Sequence, residues 1–401
     1  MKTETKFLSE NIVDKFFSNQ LARTLSLALD PHPRLSANYL RKNRKILRFL
    51  VESSVSVFVY HSRRTIMWSL RTLNNLKRCQ ISVLSQNVCT KAIGIIGAPF
   101  GKGAGKSGAE HGPKALREAG LIDEIKSISQ NIDLKDYGDV HYELMKSNGR
   151  KINNLKELEH VASCNKALAD RVEEIMNDNR MPIMLGGDHS LAFGSISGVL
   201  RRVQAENLCV LWIDAHIDLN TNSTSPSGNM HGMPVSLLVK ELRSEWPCVP
   251  ELEWCRAKLS LKNFCWIGLR SIDYYERLMM EKYGINYFDM RDIERMGIEK
   301  VMQRALETIN PKGEKKLHVS FDIDALDPLY ANSTGTPVMG GLTLREGVFA
   351  MEEAYKSGTL SSIDLVEVNP CLGNANDVQN TLNSAKLIIQ AAVGNNRSGN
   401  C

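Results

Sequence analysis

The chain has 401 residues, of which 43% are hydrophobic and 24% charged, a composition typical of a protein with a large folded core. Its formal net charge is +5, yet residues 1–91 carry 16 basic against 5 acidic side chains, whereas residues 92–401 carry 34 against 40. Because the larger part of the chain is acidic on balance, it lacks the basic surface typical of nucleic-acid-binding domains, and we expect no nucleic-acid partner.

The nine cysteines and the apolar segments exclude two further classes of protein. The cysteines are scattered without C-x-x-C spacing, which indicates reduced thiols in an intracellular compartment rather than a disulfide framework. The most apolar N-terminal stretch, residues 47–60, is interrupted by Arg48 and Glu52 and is too short to span a bilayer, so no membrane segment is predicted.

Residues 1–91 form a basic N-terminal extension that has two interpretations. Its composition, poor in acidic residues, is typical of a mitochondrial transit segment, and the recurrence of Arg64, Arg71 and Arg78 every seven residues fits an amphipathic helix. A transit segment begins a chain, so Met67 is an alternative start, or the residues before it lengthen the leader. The other interpretation is a disordered basic tail on a cytoplasmic protein.

From residue 92 onwards, apolar runs of strand length alternate with helical patterns. The strand candidates are AIGIIGA, NIDLKDY, MPIML, LCVLWI, FCWIGL, INYFDM, LHVSFDI and SIDLVEV, and a helical period extends from residue 155 to residue 176. Strands that alternate with helices predict an α/β fold of three layers, α/β/α, with a central, mostly parallel eight-stranded sheet. We predict that residues 92–401 form one catalytic domain of this kind.

Polar side chains that can bind metal follow four of the predicted strands. They are His189 in GGDHS, Asp214, His216 and Asp218 in DAHIDLN, Asp322 and Asp324 in DIDALDP, and Glu367 in EVNP. Ligands of parallel sheets bind beyond the carboxyl ends of the strands. If each strand continues into its motif, residues two apart share one face, so Asp214, His216 and Asp218 would project together, as would Asp322 and Asp324.

The charge of this cluster predicts two metal ions. Burying Asp214, Asp218, Asp322 and Asp324 together is prohibitive unless cations compensate, and two divalent ions cancel four negative charges. Carboxylates and imidazoles without a thiolate suit Mn²⁺ better than a structural zinc. Two such ions activate water as a hydroxide nucleophile near neutral pH.

Each motif also has a structural interpretation when it is taken alone. GGDHS fits a turn that caps a helix, and DAHIDLN fits a solvated loop; it is their combination with DIDALDP that favours a metal site. GKGAGKSG, residues 101–108, resembles a phosphate-binding loop, but the spacing GxxxxGK[ST] is not satisfied, and we interpret it as a flexible loop.

Seven motifs occur in the order found in the ureohydrolases, and the chain resembles the arginases of that family over about residues 93–401. The motifs are GGDHS, DAHIDLNT, SGNMHGMPV, IGLRSID, SFDIDALDP, TGTPVMGGLTLREG and EVNP. The resemblance implies hydrolysis of L-arginine to L-ornithine and urea at a binuclear Mn²⁺ site, with a metal-bridging hydroxide as the nucleophile. The first 91 residues have no counterpart in this resemblance.

The resemblance also implies roles for individual residues. One Mn²⁺ would be bound by His189, Asp214, Asp218 and Asp322, and the other by Asp214, His216, Asp322 and Asp324. His231 would pass a proton to the leaving amine, a step that suits the near-neutral pKa of imidazole. Glu367 would pair with the substrate guanidinium, whose planar donors fit a carboxylate.

The other end of the substrate distinguishes L-arginine from agmatine, which lacks the α-carboxylate. By resemblance, the carboxylate is met by Asn220, Ser227 and Asn229, and the amino group by Asp273 with Glu276 nearby, while Thr336 lies in the matching pocket segment. A pocket that hydrogen-bonds a polar group rejects analogues without it, because its own polar groups then stay unpaired. Arginase is therefore favoured over agmatinase.

Two features of the C-terminal half bear on this resemblance. Ser271 stands where the family commonly has an acidic residue. Arg397 matches a family arginine that pairs between subunits with the position of Glu346, which implies a homotrimer. Three alternatives remain: another guanidine hydrolase such as agmatinase, a non-catalytic arginase-like regulatory protein, and a mononuclear zinc deacetylase-like enzyme. Retention of all six metal ligands argues against the last two.

Overall fold

The structure is a computed structural model that describes residues 91–145, 154–255, 257–395 and 397. The predicted N-terminal extension lies outside these ranges, apart from Lys91. Within them, no helix has the length and apolarity needed to cross a membrane.

All eight runs predicted as strands are strands. They are β1 (Lys91–Gly97), β2 (Ile132–Asp139), β3 (Met181–Leu185), β4 (Leu208–Ile213), β5 (Phe264–Leu269), β6 (Tyr287–Asp289), β7 (Lys316–Asp322) and β8 (Leu360–Val366). Every neighbouring pair is parallel, so the sheet predicted as mostly parallel is parallel throughout.

Nine α-helices connect or follow the strands in the described part of the chain. They are α1 (Gly112–Glu118), α2 (Leu121–Ile128), α3 (Leu158–Asn177), α4 (Ala192–Val199), α5 (Pro234–Leu238), α6 (Tyr274–Tyr283), α7 (Met290–Ile309), α8 (Leu344–Lys356) and α9 (Ala375–Ala392). The helical period predicted from residue 155 to residue 176 corresponds to α3.

The sheet separates two hydrophobic cores, which confirms the three-layer arrangement. On β4, Cys209 and Leu211 face the core that contains residues of α7, α8 and α9, whereas Val210 and Trp212 face the core formed with α3 and α4. Successive side chains on a strand point to opposite faces, and here both faces are covered, so a continuous apolar run such as LCVLWI is fully buried.

The strand order places the functional motifs side by side. The order is β2-β1-β3-β8-β7-β4-β5-β6, so β3, β8, β7 and β4 are neighbours at the centre of the sheet although they are far apart in sequence. Because all strands are parallel, the carboxyl ends of these four strands lie at one edge of the sheet. The motifs GGDHS, EVNP, DIDALDP and DAHIDLN therefore meet there.

Candidate metal centre

All six residues predicted as metal ligands lie at this edge of the sheet. His189 follows β3, Asp214, His216 and Asp218 follow β4, and Asp322 ends β7 two residues before Asp324. Ligand atoms of five of them form two groups that could each hold a metal ion, with Asp214 common to both groups, and Asp322 lies beside the first group.

The side chains after β4 converge in a different way from the one inferred from the sequence. We expected Asp214, His216 and Asp218 to share one face of a strand, but β4 ends at Ile213. An extended strand would hold the first and last of the three about 13 Å apart, too far for one ion. Instead the chain curls, with Asp218 in the left-handed region at φ 56°, a conformation that aspartate tolerates better than most residues.

The first ligand group surrounds the Nδ1 atom of His189. The Oδ2 atoms of Asp214, Asp218 and Asp322 each lie 3.1 Å from it. None of these oxygens is aligned for a hydrogen bond, so this buried nitrogen has no hydrogen-bond partner among the residues that the structure describes. Ligand atoms about 2.1 Å from one ion and at right angles to each other lie about 3 Å apart. The observed spacing therefore fits a metal ion.

The second ligand group is formed by His216, Asp214 and Asp324. The Nδ1 atom of His216 lies 3.4 Å from Oδ1 of Asp214 and 3.2 Å from Oδ2 of Asp324. We expected Asp324 on the same strand as Asp322. Instead it lies in a 3-10 turn, Ile323–Ala325, that begins where strand β7 ends. Since Asp214 turns Oδ2 to the first group and Oδ1 to the second, its carboxylate is placed to bridge two ions.

Contacts behind the ligands hold the ring of His189 in place. Its Nε2 atom lies 2.9 Å from Oγ of Ser320, and the ring stacks on Trp212 with centroids 4.3 Å apart. The indole Nε1 of Trp212 in turn donates to Oδ2 of Asp214 at 3.0 Å. A proton on Nε2, donated to Ser320, leaves the lone pair of Nδ1 for a metal ion, the usual task of such outer contacts.

The charges of this cluster are unfavourable unless a cation compensates for them. Burial raises the pKa of Asp322 well above its usual range, and the charges of Asp324 and Asp214 raise it further. Burial alone would lower the pKa of His189, but the carboxylates of Asp214, Asp218 and Asp322 raise it well above its usual value. The buried carboxylates thus attract positive charge, which either protons or metal ions can supply.

A cavity of about 170 Å³ lies beside the two ligand groups. Among the residues predicted to contact the substrate, Asn220, His231, Asp273, Glu276 and Thr336 line it. The cavity wall therefore contains both predicted metal ligands and other hydrogen-bonding side chains.

Asn220 and Asp273 adjoin each other in the wall of the cavity. Nδ2 of Asn220 donates to Oδ2 of Asp273 at 2.8 Å. Asp273 caps helix α6, and Glu276 completes the cap from the third helical position. Glu276 also accepts the backbone N–H of Leu219 at 3.0 Å. These contacts fix an amide and a carboxylate within reach of one small polar ligand.

Ser227 and Asn229 lie on a loop outside the cavity lining. Ser227 is exposed and accepts the backbone N–H of Asn229 at 3.2 Å. The side chain of Asn229 lies against Gly105, where a Cβ atom would stand 2.8 Å from its Nδ2 atom. The structure thus does not place these two predicted residues in the wall of the cavity.

Glu367 presents one paired and one unpaired oxygen. Its Oε1 accepts the backbone N–H of His189 at 2.8 Å and lies 3.1 Å from Nδ1 of His231. Its Oε2 is buried without a hydrogen-bond partner in the described part of the chain. Burial lowers the pKa of His231, but the neighbouring Glu367 carboxylate more than reverses this and raises the pKa to about 9. Glu367 therefore favours the protonated form of His231.

Residues 91–394 match the family model described as "Arginase family". The chain belongs to the arginase family. It is 45% identical to human Arginase-1 over 312 residues, which cover 78% of this chain and 95% of that protein. It is 42% identical to human mitochondrial Arginase-2 over 334 residues, 82% of this chain and 93% of the relative. The solved arginase from Bacillus caldovelox superposes with a TM-score of 0.68 and 34% identity, covering 77% of this chain and 99% of that one.

Several residues that support the arginase-family site were not predicted from the sequence. Ser320 and Trp212 hold His189, and Asp188 accepts the N–H groups of Gly103 and Ser190 at 2.7 and 3.0 Å. A signal for Ser320 was present, because it stands two residues before Asp322 on β7 and so shares its face. Asp188 and Trp212 had no such signal, since their roles depend on packing across the sheet.

Arg270 is a further supporting residue that the sequence did not reveal. Within the described part of the chain, its guanidinium donates only to main-chain carbonyls, which include those of Asp324 at 2.6 Å and Val338 at 2.8 Å. It thereby joins the end of β5 to the turn that carries Asp324. Asp324 is held from its other side by Thr336, whose hydroxyl donates to Oδ2 at 3.0 Å.

Within the single chain, Arg397 binds Glu352 and not Glu346. Its Nε and Nη2 atoms lie 3.0 and 2.9 Å from the Glu352 carboxylate oxygens. Glu346 instead closes the cap of helix α8 with Thr343. The expected pairing of Arg397 with Glu346 of another subunit stays a prediction.

Proposed function

We propose that this chain is an arginase, which hydrolyses L-arginine to L-ornithine and urea with two Mn²⁺ ions. Its membership of the arginase family supports hydrolysis of an amidine. The observation that carries the proposal is the buried, unpaired Oε2 atom of Glu367 beside two groups of metal ligands. A guanidinium supplies the N–H donors and the positive charge that this oxygen lacks.

The ligand set supports two hard or borderline divalent ions. His189, Asp214, Asp218 and Asp322 would hold one ion, and Asp214, His216, Asp322 and Asp324 the other. Oxygen and imidazole donors without a thiolate favour Mn²⁺. When bound, two such ions would lower the pKa of a water molecule and so supply a hydroxide nucleophile near neutral pH.

Glu367 and His231 would have separate roles, in substrate orientation and in proton transfer. Glu367 would orient the guanidinium through Oε2, while its Oε1 atom holds the backbone of His189 and the ring of His231. The carboxylate of Glu367 favours the protonated form of His231, because it raises the pKa of the imidazole. It would donate that proton to the amine that leaves as ornithine, as a general acid.

The amino-acid end of the substrate would be recognised at the part of the cavity wall that Asn220 and Asp273 form. We assign Asn220, Ser227 and Asn229 to the α-carboxylate and Asp273, with Glu276, to the α-amino group. The hydrogen bond between Asn220 and Asp273 supports this assignment, because it places an N–H donor beside a carboxylate. Thr336 would complete the pocket through its contact with Asp324.

We expect the chain to release urea from L-arginine in the presence of Mn²⁺, with kcat/KM at least about a hundredfold above that for agmatine. The physical reason is that agmatine leaves the carboxylate-binding groups unpaired. Urea formation measured with each substrate tests this. Faster turnover of agmatine would identify another ureohydrolase, and binding of L-arginine without urea release would favour the regulatory alternative.

We also propose a homotrimer in which Arg397 contacts Glu346 of a neighbouring subunit. Arg397→Ala should then lower the molar mass measured by light scattering, because an ion pair between subunits is lost. Arg291→Ala, which removes another exposed arginine, should leave the mass unchanged. A monomeric wild-type chain, or a trimer unaffected by Arg397→Ala, would contradict this arrangement.

The basic extension supports the proposal of a mitochondrial location. We expect the mature protein isolated from mitochondria to begin after residue 66 and to lack most of residues 1–91. N-terminal sequencing of the mature protein measures this. Retention of the whole extension on a protein recovered from the cytosol would favour the alternative of a basic cytoplasmic tail.

A further inference from the structure

The loop of residues 101–108, GKGAGKSG, lies against the walls of the active-site cavity. We interpreted it from the sequence as a flexible loop, and the proposed function assigns it no role. In the structure, three of its residues hydrogen-bond to segments that carry or adjoin the predicted site residues. They are Gly103, Lys106 and Ser107. A loop held at so many points is positioned by the fold and can position its partners in turn.

Gly103 connects the turn that carries His189 with the backbone of His231. Its N–H donates to Oδ2 of Asp188 at 2.7 Å, a buried contact. Its carbonyl accepts the N–H of His231 at 3.1 Å. Asp188 is itself held by Ser190, whose N–H donates to Oδ1 at 3.0 Å. A continuous set of hydrogen bonds therefore extends from the residue before His189 to His231.

Lys106 and Ser107 hold the same loop at two other walls. Nζ of Lys106 donates to the carbonyl of Gly335 at 2.6 Å, next to Thr336. The carbonyl of Ser107 accepts Nδ2 of Asn369 at 3.0 Å, two residues after Glu367. The loop is thus joined to the segments that carry three of the proposed active-site residues.

The space around Gly103 excludes a side chain. A Cβ atom at this position would stand 2.6 Å from both Oδ1 of Asp188 and Oγ of Ser190. These atoms are themselves hydrogen-bonded to each other and buried, so they have little freedom to retreat. An alanine at residue 103 would therefore displace the loop away from Asp188 and withdraw the carbonyl that His231 binds.

We propose that the loop of residues 101–108, held by Asp188 through Gly103, is the element that positions His231 for proton transfer. This inference rests on the role proposed above for His231. Glu367 holds the ring of His231 at Nδ1, and Gly103 holds its backbone. Because the backbone and the Nδ1 atom of His231 are both held, its other ring nitrogen, Nε2, has one orientation. A displacement of about 1 Å in such a group can cost about a hundredfold in rate.

Amide hydrogen exchange tests the positioning without any need for turnover. In the wild-type chain the His231 amide should exchange slowly, because it donates to Gly103. Gly103→Ala should accelerate its exchange at least about tenfold, while amides of β4 keep their protection. Unchanged exchange at His231 in a folded Gly103→Ala variant would overturn the inference, whatever the substrate of the enzyme.

A double-mutant cycle tests whether the loop acts through His231. Gly103→Ala should lower kcat for L-arginine about ten- to a hundredfold with little change in KM and with wild-type metal content by elemental analysis. In a His231→Ala background the same change should lower kcat no further, because residues that act as a unit are not additive. An equal loss in both backgrounds would show that the loop does not act through His231.

Two lysines of the loop provide a matched pair of milder variants. Lys106→Met removes the contact with Gly335 and should lower kcat by a smaller factor than Gly103→Ala, again only when His231 is present. Lys102→Met removes a side chain that contacts His160 and Glu157 instead and should leave kcat unchanged. If Gly103→Ala fails to fold, this pair decides: equal kcat values for the two lysine variants would overturn the inference. Absence of urea release by the wild-type chain would instead reject the proposed function and leave the exchange test standing.

Discussion

Asp214→Asn should abolish binding of both metal ions and lower the turnover of L-arginine by more than about a hundredfold. Loss of an outer contact alone costs about 10- to 100-fold in metal affinity or activity, and Asp214 belongs to both ligand groups. An amide has nearly the same shape as the carboxylate but offers one donor oxygen in place of two, and no charge. The protein is incubated with excess Mn²⁺ and passed through gel filtration to remove unbound metal. Elemental analysis then measures the ions retained per chain.

Two comparisons make this result specific to the shared position. His216→Ala should retain close to one ion per chain, since His216 belongs to the second group alone. Asp364→Asn changes an aspartate that is equally buried on β8 but contacts Ser195 and His318 rather than the ligand groups. It should bind two ions even if its melting temperature falls. Two ions retained by Asp214→Asn would refute the bridging assignment.

His231→Ala should lower kcat by about 10² to 10⁴-fold, the usual contribution of a general acid, while both metal ions stay bound. His231 lies 3.1 Å from Glu367 and lines the cavity, but it is not in either ligand group. Its loss removes the proton that the leaving amine needs without removing a metal donor. Steady-state kinetics with L-arginine and elemental analysis of the same preparation measure the two quantities.

Rescue and a matched histidine variant separate proton transfer from a structural role. Added imidazole should restore part of kcat to His231→Ala, because a small base can occupy the vacated space and carry the proton. His141→Ala, which removes an exposed histidine, should behave as wild type. Loss of metal from His231→Ala would mean that His231 is a ligand and that the assignment as a proton donor is wrong.

The secondary structure could be predicted from the sequence because local patterns determine it. Runs such as LCVLWI and FCWIGL are apolar at every position, and the corresponding strands β4 and β5 are buried at every residue. Runs of strand length that alternate with helical periods leave few arrangements other than a parallel sheet covered on both faces. The eight strands and the three layers were therefore predicted before their order was known.

The conformation of the ligand-bearing loops could not be predicted in the same way. Strand alternation suggested a common face for Asp214, His216 and Asp218, but one ion cannot be reached from residues spread along an extended chain. The positive φ of Asp218 and the 3-10 turn at Asp324 meet this requirement. Such turns are stabilised by residues from other strands, for example by the hydrogen bond from Arg270 to the carbonyl of Asp324. Short-range sequence patterns do not predict these contacts.

The conformation of the loop of residues 101–108 also could not be predicted from local sequence patterns. Its glycines and lysines predict a flexible loop when they are considered alone. Its conformation in the fold depends on Asp188, Gly335 and Asn369, which lie far away in the sequence. The pairing of Arg397 with Glu352 likewise depends on where Arg397 lies beside helix α8.

By itself, the sequence determined the residue types that bind metal, the strands that carry them and the family to which the chain belongs. Only the tertiary structure decided that β3, β8, β7 and β4 are neighbours, and hence that His189, Glu367, Asp322 and Asp214 share one small volume. The physical reason is the range of the forces involved. Side-chain periodicity acts over a few residues, whereas strand order follows from burying both faces of the whole sheet at once.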